Sequence, residues 1–212
     1  MTTITLTFDN GPDPEATPLV LKTLRKHGVR STFFVIGEKL RDRRHLSEMA
    51  LADGHWIGNH TYTHLMPLGQ CREKGTAVRE IERTDSLLGG LAHPRMFFRP
   101  SGNGGDLGSG LLNQEALGHL QSNGHTCVLW NAVPEDWVYP TGWVTRALDL
   151  CFAREHSLLV LHDLPTGAMR HLDDFLSLAE GRGARFTQEF PSECVLIESG
   201  TIVQDVQPYL LG

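Results

Sequence analysis

Two histidines, His60 and His64, stand four residues apart in the segment HTYTH. If this segment is helical, the spacing places both rings on one helix face, with about 5–6 Å between their Cβ atoms. Two imidazoles in this arrangement can share one divalent metal ion. In a chain with 11 histidines, such a pair is more often solvated or helix-capping, so a metal site needs support from elsewhere in the sequence.

That support comes from the segment TLTFDNGPDP, in which an apolar-alternating run ends on Asp9 and Asn10. An Asp before Gly-Pro is commonly part of a turn, where its carboxylate accepts backbone hydrogen bonds. Asn10 and Asp13 can fill that role equally well, which leaves Asp9 available for chemistry. An oxygen donor from this run would complete a metal site with the two histidines, and this favours the metal interpretation.

Three further segments place polar side chains after apolar runs. Arg99 follows two phenylalanines in FFRP, Asp136 and Trp137 lie in EDW, and His162 follows the apolar run in LLVLHD. Each has an ordinary structural explanation. Arg99 could bind a helix C-terminus, Asp136 could cap a helix beside a packed Trp137 indole, and a strand histidine is commonly hydrogen-bonded in the core. A titratable group that ends a fully apolar strand nevertheless indicates a pocket at His162.

These side chains must be positioned by alternating strands and helices, because short β-rich runs alternate with runs of 3.6-residue periodicity. The predicted strands are Ile4–Asp9, Ser31–Gly37, His55–Asn59, Met96–Arg99, Thr126–Asn131, Leu158–Asp163 and Arg185–Thr187. The predicted helices are Ala16–His27, Arg43–Asp53, Thr76–Leu88, Asn113–Ser122, Trp143–Arg154 and Arg170–Glu180. The tail predicts a β-hairpin that turns at Ser199-Gly200.

The alternation predicts an α/β fold with a parallel sheet, in one domain over residues 1–212. Seven units fit either a barrel slightly short of eight strands or a doubly wound open sheet. In both, the C-terminal ends of the strands lie on one face, which carries the active site. The polar residues that end the runs therefore converge on one mouth, and this convergence indicates an enzyme.

Composition excludes several classes of function. The net charge is −6 and no basic run is present, which argues against a nucleic-acid partner. No stretch reaches the roughly 18 apolar residues of a membrane helix. No signal peptide is visible, so a cytoplasmic location is expected if Met1 is the natural start. The four scattered cysteines are expected to be free thiols in the core.

Taken together, five ordered segments resemble the NodB-type polysaccharide deacetylases, carbohydrate esterase family 4. They are TFDNGPD, GHWIGNHTYTH, FFRPSG, EDW and LLVLHD. The resemblance runs from Thr5 to about Phe186. It implies a deformed (β/α)7 barrel, followed here by the hairpin tail. It also implies metal-dependent removal of N-acetyl groups from amino sugars, usually N-acetylglucosamine in chitin-like or peptidoglycan chains.

The resemblance also implies roles for single residues. Asp9 matches the catalytic base, and Arg99 matches the arginine that orients it. His162 matches the general acid that protonates the leaving amine. Asp136 matches the acid that pairs with this histidine, and Trp137 matches the aromatic wall beside it.

For the metal, His60 and His64 match the two histidine ligands, and Asn10 stands at the place of the third. A divalent cation, with Zn²⁺ as the expected ion, would lower the pKa of water and polarise the amide carbonyl. The N–H of Gly102 is expected to complete an oxyanion hole.

The sequence departs from the family pattern at several positions. Asn10 replaces an acidic ligand, so metal binding should be weaker than with a carboxylate. Val133 replaces the first acid of the fourth motif, which we interpret as a loss behind the site. Ser101-Gly102 replaces Pro-Tyr in the third motif, so an aromatic wall is missing and a glycine-rich run follows. These last changes bear on the substrate more than on the chemistry.

Three functions remain open at this stage. The first is deacetylation of N-acetylated amino sugars, which the resemblance implies. The second is hydrolysis of small cyclic amides, such as imides or ureides, on the same fold. The third is glycan binding by an inactive relative, against which the retained acids, histidines and arginine argue. The oligomeric state cannot be inferred from the sequence.

Overall fold

The computed structural model describes residues 2–102 and 104–211, which contain nine β-strands and six α-helices. The strands are β1 (Thr3–Asp9), β2 (Thr32–Val35), β3 (Trp56–Asn59), β4 (Phe97–Phe98), β5 (Thr126–Val128), β6 (His156–His162), β7 (Arg185–Thr187), β8 (Val195–Glu198) and β9 (Thr201–Ile202). The helices are α1 (Ala16–His27), α2 (Gly37–Ala52), α3 (Thr76–Leu88), α4 (Gln114–Ser122), α5 (Trp143–Phe152) and α6 (Leu172–Gly181).

All these strands belong to one sheet, in the order β6-β1-β2-β3-β4-β5-β8-β9, with β7 pairing with β1 beside this path. Strands β1 to β6 pair with one another in parallel orientation. The sheet curls until Ala132, just beyond β5, forms an isolated parallel bridge with Leu159 of β6. Because helices connect the strands and one bridge closes the curl, the C-terminal ends of the strands surround a common mouth.

The centre of this arrangement is β1, whose side chains alternate between two environments. Ile4, Leu6 and Phe8 are buried in the apolar layer, which they share with residues of α1, α5 and α6. Thr7 and Asp9 point the other way, where both contact the Arg99 side chain. Strand periodicity of two residues therefore delivers Asp9 to the inside of the curl.

The predicted α/β fold is confirmed, with local differences. Helix α2 begins at Gly37 rather than Arg43, because the helix continues through a kink at Arg43, where φ is −136° and ψ is 33°. Strand β7 pairs with residues 3–5 of β1, and β2 pairs with residues 7–9 of the same strand.

The predicted hairpin is confirmed, with Glu198 opposite Thr201 across the turn. Ser199 and Gly200 have φ values of 47° and 84°, as the favoured two-residue hairpin turns require. Strand β8 also pairs with β5 in antiparallel orientation, so the tail extends the sheet. All four cysteines are free, and three of them are buried. Within the described ranges, no helix is long and apolar enough to cross a membrane.

Candidate active site

Asp9 and His162 are neighbours because of the register between two strands. Each is the last residue of its strand, β1 and β6, and their Cα atoms are directly paired in the parallel ladder. The Asp9 side chain is buried, and the His162 side chain is 12% exposed. The two groups expected to move protons thus lie side by side at the edge of the mouth.

Arg99 holds the Asp9 carboxylate from inside the curl. Its fully buried guanidinium donates from Nη1 to Asp9 Oδ1 and to Thr7 Oγ1, both at 2.8 Å. It also lies 4.1 Å from the centre of the Phe34 ring. Burial alone would raise the pKa of Asp9, but the charge and hydrogen bond of Arg99 outweigh it and hold the pKa below its ordinary value.

His60 and His64 come together without a helix, so the helical arrangement considered from their spacing is not the one that this segment adopts. The segment after β3 is a turn in which Thr61 and His64 have φ values of 64° and 55°. Asn59 Oδ1 accepts a hydrogen bond from the Thr61 N–H, which stabilises this turn. The two imidazole rings nevertheless come within 4.7 Å of each other between centroids.

Burial favours the neutral form of both imidazoles, which is the form that binds a metal ion. His60 donates from Nδ1 to the Arg99 carbonyl at 2.9 Å, and its Nε2 lies 3.6 Å from Asp9 Oδ2. Burial lowers the pKa of His60 below its ordinary value and lowers the pKa of His64 to about 3. The Nε2 lone pair of His60 is therefore available on the side of the mouth.

The Asn10 side chain places an oxygen without a hydrogen-bond partner in the same cavity as His60 and His64. Its Oδ1 is buried and has no hydrogen-bond partner among the described residues, and the residue has a φ of 72°. No group of three or more His, Cys, Asp or Glu side chains within residues 2–102 and 104–211 is arranged to hold a metal ion. A site here would therefore consist of two imidazoles and one amide oxygen, a set that fits a borderline cation such as Zn²⁺.

The turn that carries Asn10 is fastened to α2. Lys39 Nζ donates to the Asn10 carbonyl at 2.7 Å, the Ile36 N–H donates to the Gly11 carbonyl, and Arg43 donates to the Pro12 carbonyl. Asp13 takes the turn role that the sequence allowed for it, since its Oδ1 accepts the N–H groups of Glu15 and Ala16 at the start of α1. Asp9 is thereby released from turn formation.

His162 is oriented by Asp136 and by Trp137. The imidazole donates from Nδ1 to Asp136 Oδ1 at 2.8 Å, and the Trp137 ring packs edge-on against it at 4.7 Å between centroids. Burial alone would lower the pKa of His162, but the hydrogen bond and charge of Asp136 outweigh it and raise the pKa above its ordinary value. His162 therefore holds a proton more readily than a free histidine.

The site contains a cavity of about 240 Å³. Its reactive side consists of Asp9, Asn10, His60, His64 and His162. Gly102 and Trp137 line it as predicted, whereas Arg99 and Asp136 lie behind the residues they orient. The rest of the wall lies in segments without a polar signature and is not predicted by the sequence pattern: Gly104, Gly105, Trp130, Val133, Val160 and Leu164.

Two residues have places that the sequence did not indicate. Val133 lines the cavity, so our interpretation of it as a loss behind the site is wrong. Asp163, directly after His162, is buried and accepts a hydrogen bond from the Thr17 hydroxyl. Its carboxyl packs so closely on Gly11 that a Cβ at Gly11 would clash with it. This contact supports the turn that follows Asp9.

The family model for polysaccharide deacetylases matches residues 1–127 of the chain, a range that contains Asp9, Asn10, His60, His64 and Arg99. The chain belongs to the polysaccharide deacetylase family. Asp136 and His162 lie beyond the matched range, so their assignment depends on the geometry described above.

Curated relatives of this chain are named as deacetylases. It is 34% identical over 165 residues to a chitooligosaccharide deacetylase of Rhizobium leguminosarum bv. phaseoli, covering 74% of this chain and 66% of the relative. It is 34% identical over 139 residues to a peptidoglycan-N-acetylglucosamine deacetylase of Bacillus cereus, covering 65% and 61%. The chain thus spans slightly less than two thirds of the length of these relatives.

Solved structures show the same fold. A family 4 carbohydrate esterase from Streptomyces lividans, solved in complex with acetate, superposes with a TM-score of 0.74. The match has 24% identity and covers 92% of this chain and 96% of that one. The deformed (β/α)7 architecture that the sequence resemblance implied is therefore confirmed for this polysaccharide deacetylase.

Proposed function

We propose that this polysaccharide deacetylase hydrolyses the N-acetyl groups of amino sugars, with N-acetylglucosamine oligosaccharides as the first substrates to test. The observation that carries the proposal is the pairing of Asp9 with His162 at the edge of a cavity that His60, His64 and Asn10 also line. A proton acceptor and a proton donor on adjacent strands can serve the two halves of amide hydrolysis. The names of the curated relatives support the same substrate class.

The proposed metal site consists of His60, His64 and the Asn10 amide oxygen. A divalent cation there, with Zn²⁺ as the expected ion, would polarise the amide carbonyl and lower the pKa of water. The buried Asn10 oxygen without a partner supports this assignment, because a buried acceptor is normally paired. Burial of both imidazoles supports it as well, because it lowers the pKa of each and favours the metal-binding neutral form.

In this scheme the protein residues move two protons. Asp9, held as a carboxylate by Arg99, takes a proton from the water that attacks the acetyl carbon. His162, held by Asp136, gives a proton to the sugar nitrogen as the carbon–nitrogen bond breaks. Acetate and a free amine leave. The Gly102 N–H is proposed as a donor to the oxygen that becomes negative during attack.

Acetate release from N-acetylglucosamine oligomers by the zinc-supplemented protein tests this function, with ring opening of a simple cyclic imide measured in parallel. Acetate and free amine in equal amounts would support the proposal. Imide hydrolysis without acetate release would instead support the second interpretation, an amidohydrolase of small cyclic amides. Oligosaccharide binding without turnover, retained after zinc is supplied, would identify an inactive glycan-binding relative.

A further inference from the structure

We propose that the enzyme accepts N-acyl groups larger than acetyl, such as propionyl and butyryl, in the apolar part of its cavity. This inference rests on the proposed amide hydrolysis at Asp9 and His162 and extends it to the acyl group. It is carried by the apolar side chains that line the same cavity as the reactive groups: Trp130, Val133, Trp137, Val160 and Leu164.

The surface of this wall is mainly hydrocarbon. Val160 is 4% exposed and Trp130 is 6% exposed. The indole nitrogen of Trp130, its only polar atom, donates to the Gly105 carbonyl at 2.7 Å and is therefore already satisfied. Val133 replaces an acid of the family pattern with a branched aliphatic side chain. A polar group pressed against the Trp130, Val133 or Val160 side chain would lose water without gaining a hydrogen bond from that side chain, at a cost in free energy.

The glycine-rich loop makes room along the same wall. Gly102 packs on the Trp130 ring so closely that a Cβ would lie 2.9 Å from ring atoms, and a Cβ at Gly105 would lie 2.9 Å from Val133 Cγ1. These glycines let the backbone cover the apolar side chains without filling the cavity. At the position where the family pattern has a tyrosine, this chain has Gly102, which has no side chain to fill the cavity.

The size of the cavity exceeds what an acetyl group needs. The cavity volume of about 240 Å³ is many times the roughly 10–15 Å³ that holds a single water molecule, whereas acetyl has three non-hydrogen atoms. Apart from the indole N–H groups of Trp130 and Trp137, the polar side chains among the described lining residues are those assigned to the metal and to proton transfer. An apolar acyl chain suits both the volume and the surface.

The test compares N-acetyl, N-propionyl and N-butyryl chitooligosaccharides as substrates of the zinc-supplemented enzyme. Burial of one methylene predicts a gain of about fourfold in kcat/KM per added carbon up to butyryl. A butyryl substrate cleaved at least as well as the acetyl substrate supports the inference. A fall in kcat/KM from acetyl through butyryl overturns it, while leaving the deacetylase function intact.

Variants of Val133 separate shape from polarity. Val133→Thr keeps the shape and adds a hydroxyl, and Val133→Phe fills the space, so both should lower the butyryl-to-acetyl ratio several-fold. Ile202→Ala, which removes an exposed aliphatic side chain on β9, is the control and should leave this ratio unchanged. A ratio that is unmoved in both Val133 variants would overturn the assignment of this wall.

A binding measurement decides the inference even if no amide is hydrolysed. The zinc-supplemented protein is titrated with sodium acetate, propionate and butyrate, which carry the acyl groups as free carboxylates. Tighter binding of butyrate than of acetate supports the larger acyl pocket, and equal or weaker binding overturns it. Failure to cleave any N-acyl sugar would count against the proposed function alone.

Discussion

Asp136 binds His162 at two points, accepting its backbone N–H at 3.0 Å through Oδ2 and its imidazole Nδ1–H at 2.8 Å through Oδ1. The carboxylate is completely buried. One acid therefore fixes the strand end and the ring together, and leaves ring atom Nε2 for the cavity. The same carboxylate thus sets the orientation of the proposed general acid and also raises its pKa.

Asp136→Asn should lower kcat by about 10²–10⁴-fold, the usual contribution of a positioned acid or base. The amide keeps the shape but removes the charge that raises the pKa of His162. Because the acid must be protonated, activity is lost as the pH rises through the pKa of His162. The alkaline limb of the kcat/KM profile should therefore move to lower pH in the variant.

Zinc binding separates this effect from damage to the metal site. The affinity of the Asp136→Asn protein for zinc should equal that of the wild type, and the same holds for His162→Ala, which should abolish turnover. Loss of zinc in His162→Ala would show that this histidine had been wrongly assigned as the acid.

Asn10→Asp should tighten zinc binding by about tenfold or more, since a carboxylate with a full negative charge replaces an amide oxygen beside a dication. Asn10→Gly is the matched control. Glycine suits the φ of 72° at this position, and the substitution removes the oxygen, so zinc binding should weaken. Competition against a chromogenic zinc chelator measures both changes. Equal affinity in all three proteins would mean that Asn10 only shapes the turn.

The sequence predicted the reactive side of the cavity better than its walls, for a physical reason. Asp9 and His162 end apolar strands, and parallel strands bring such ends together whatever the loops do. Trp130, Val133 and Leu164 lie in or beside connections whose path depends on packing, so no periodicity indicates where they point. The sequence left open whether His60–His64 is helical, because the observed turn depends on a hydrogen bond from Thr61 to the Asn59 side chain, which residue spacing does not reveal.

The buried pair of Arg99 and Asp9 should be strongly coupled in stability. Arg99→Met leaves the Asp9 carboxylate buried without its cationic partner, and should lower the free energy of unfolding by about 3–5 kcal/mol. Adding Asp9→Asn removes the charge that was left unpaired. The double variant should therefore lose less stability than the sum of the two single losses. Urea denaturation of the four proteins measures the coupling, and simple additivity would contradict it.

Asp163 should make the protein less stable as the pH rises from 4 to 7. Its carboxyl is buried beside Gly11 and Thr17, and burial raises its pKa from 3.8 to about 7. Between these two values the folded protein keeps a proton that the unfolded chain releases, so unfolding becomes easier as the pH increases. The gap between the two pKa values corresponds to up to about 4 kcal/mol. Asp163→Asn stays neutral and can still accept the Thr17 hydrogen bond, so the variant should lose this part of the pH dependence.

Urea denaturation at pH 5, 6, 7 and 8 measures how the free energy of unfolding changes with pH. Asp149→Asn, at an exposed position on α5, is the control and should keep the wild-type slope. If Asp163→Asn and wild type have the same slope, Asp163 is ionised throughout this range in the folded protein.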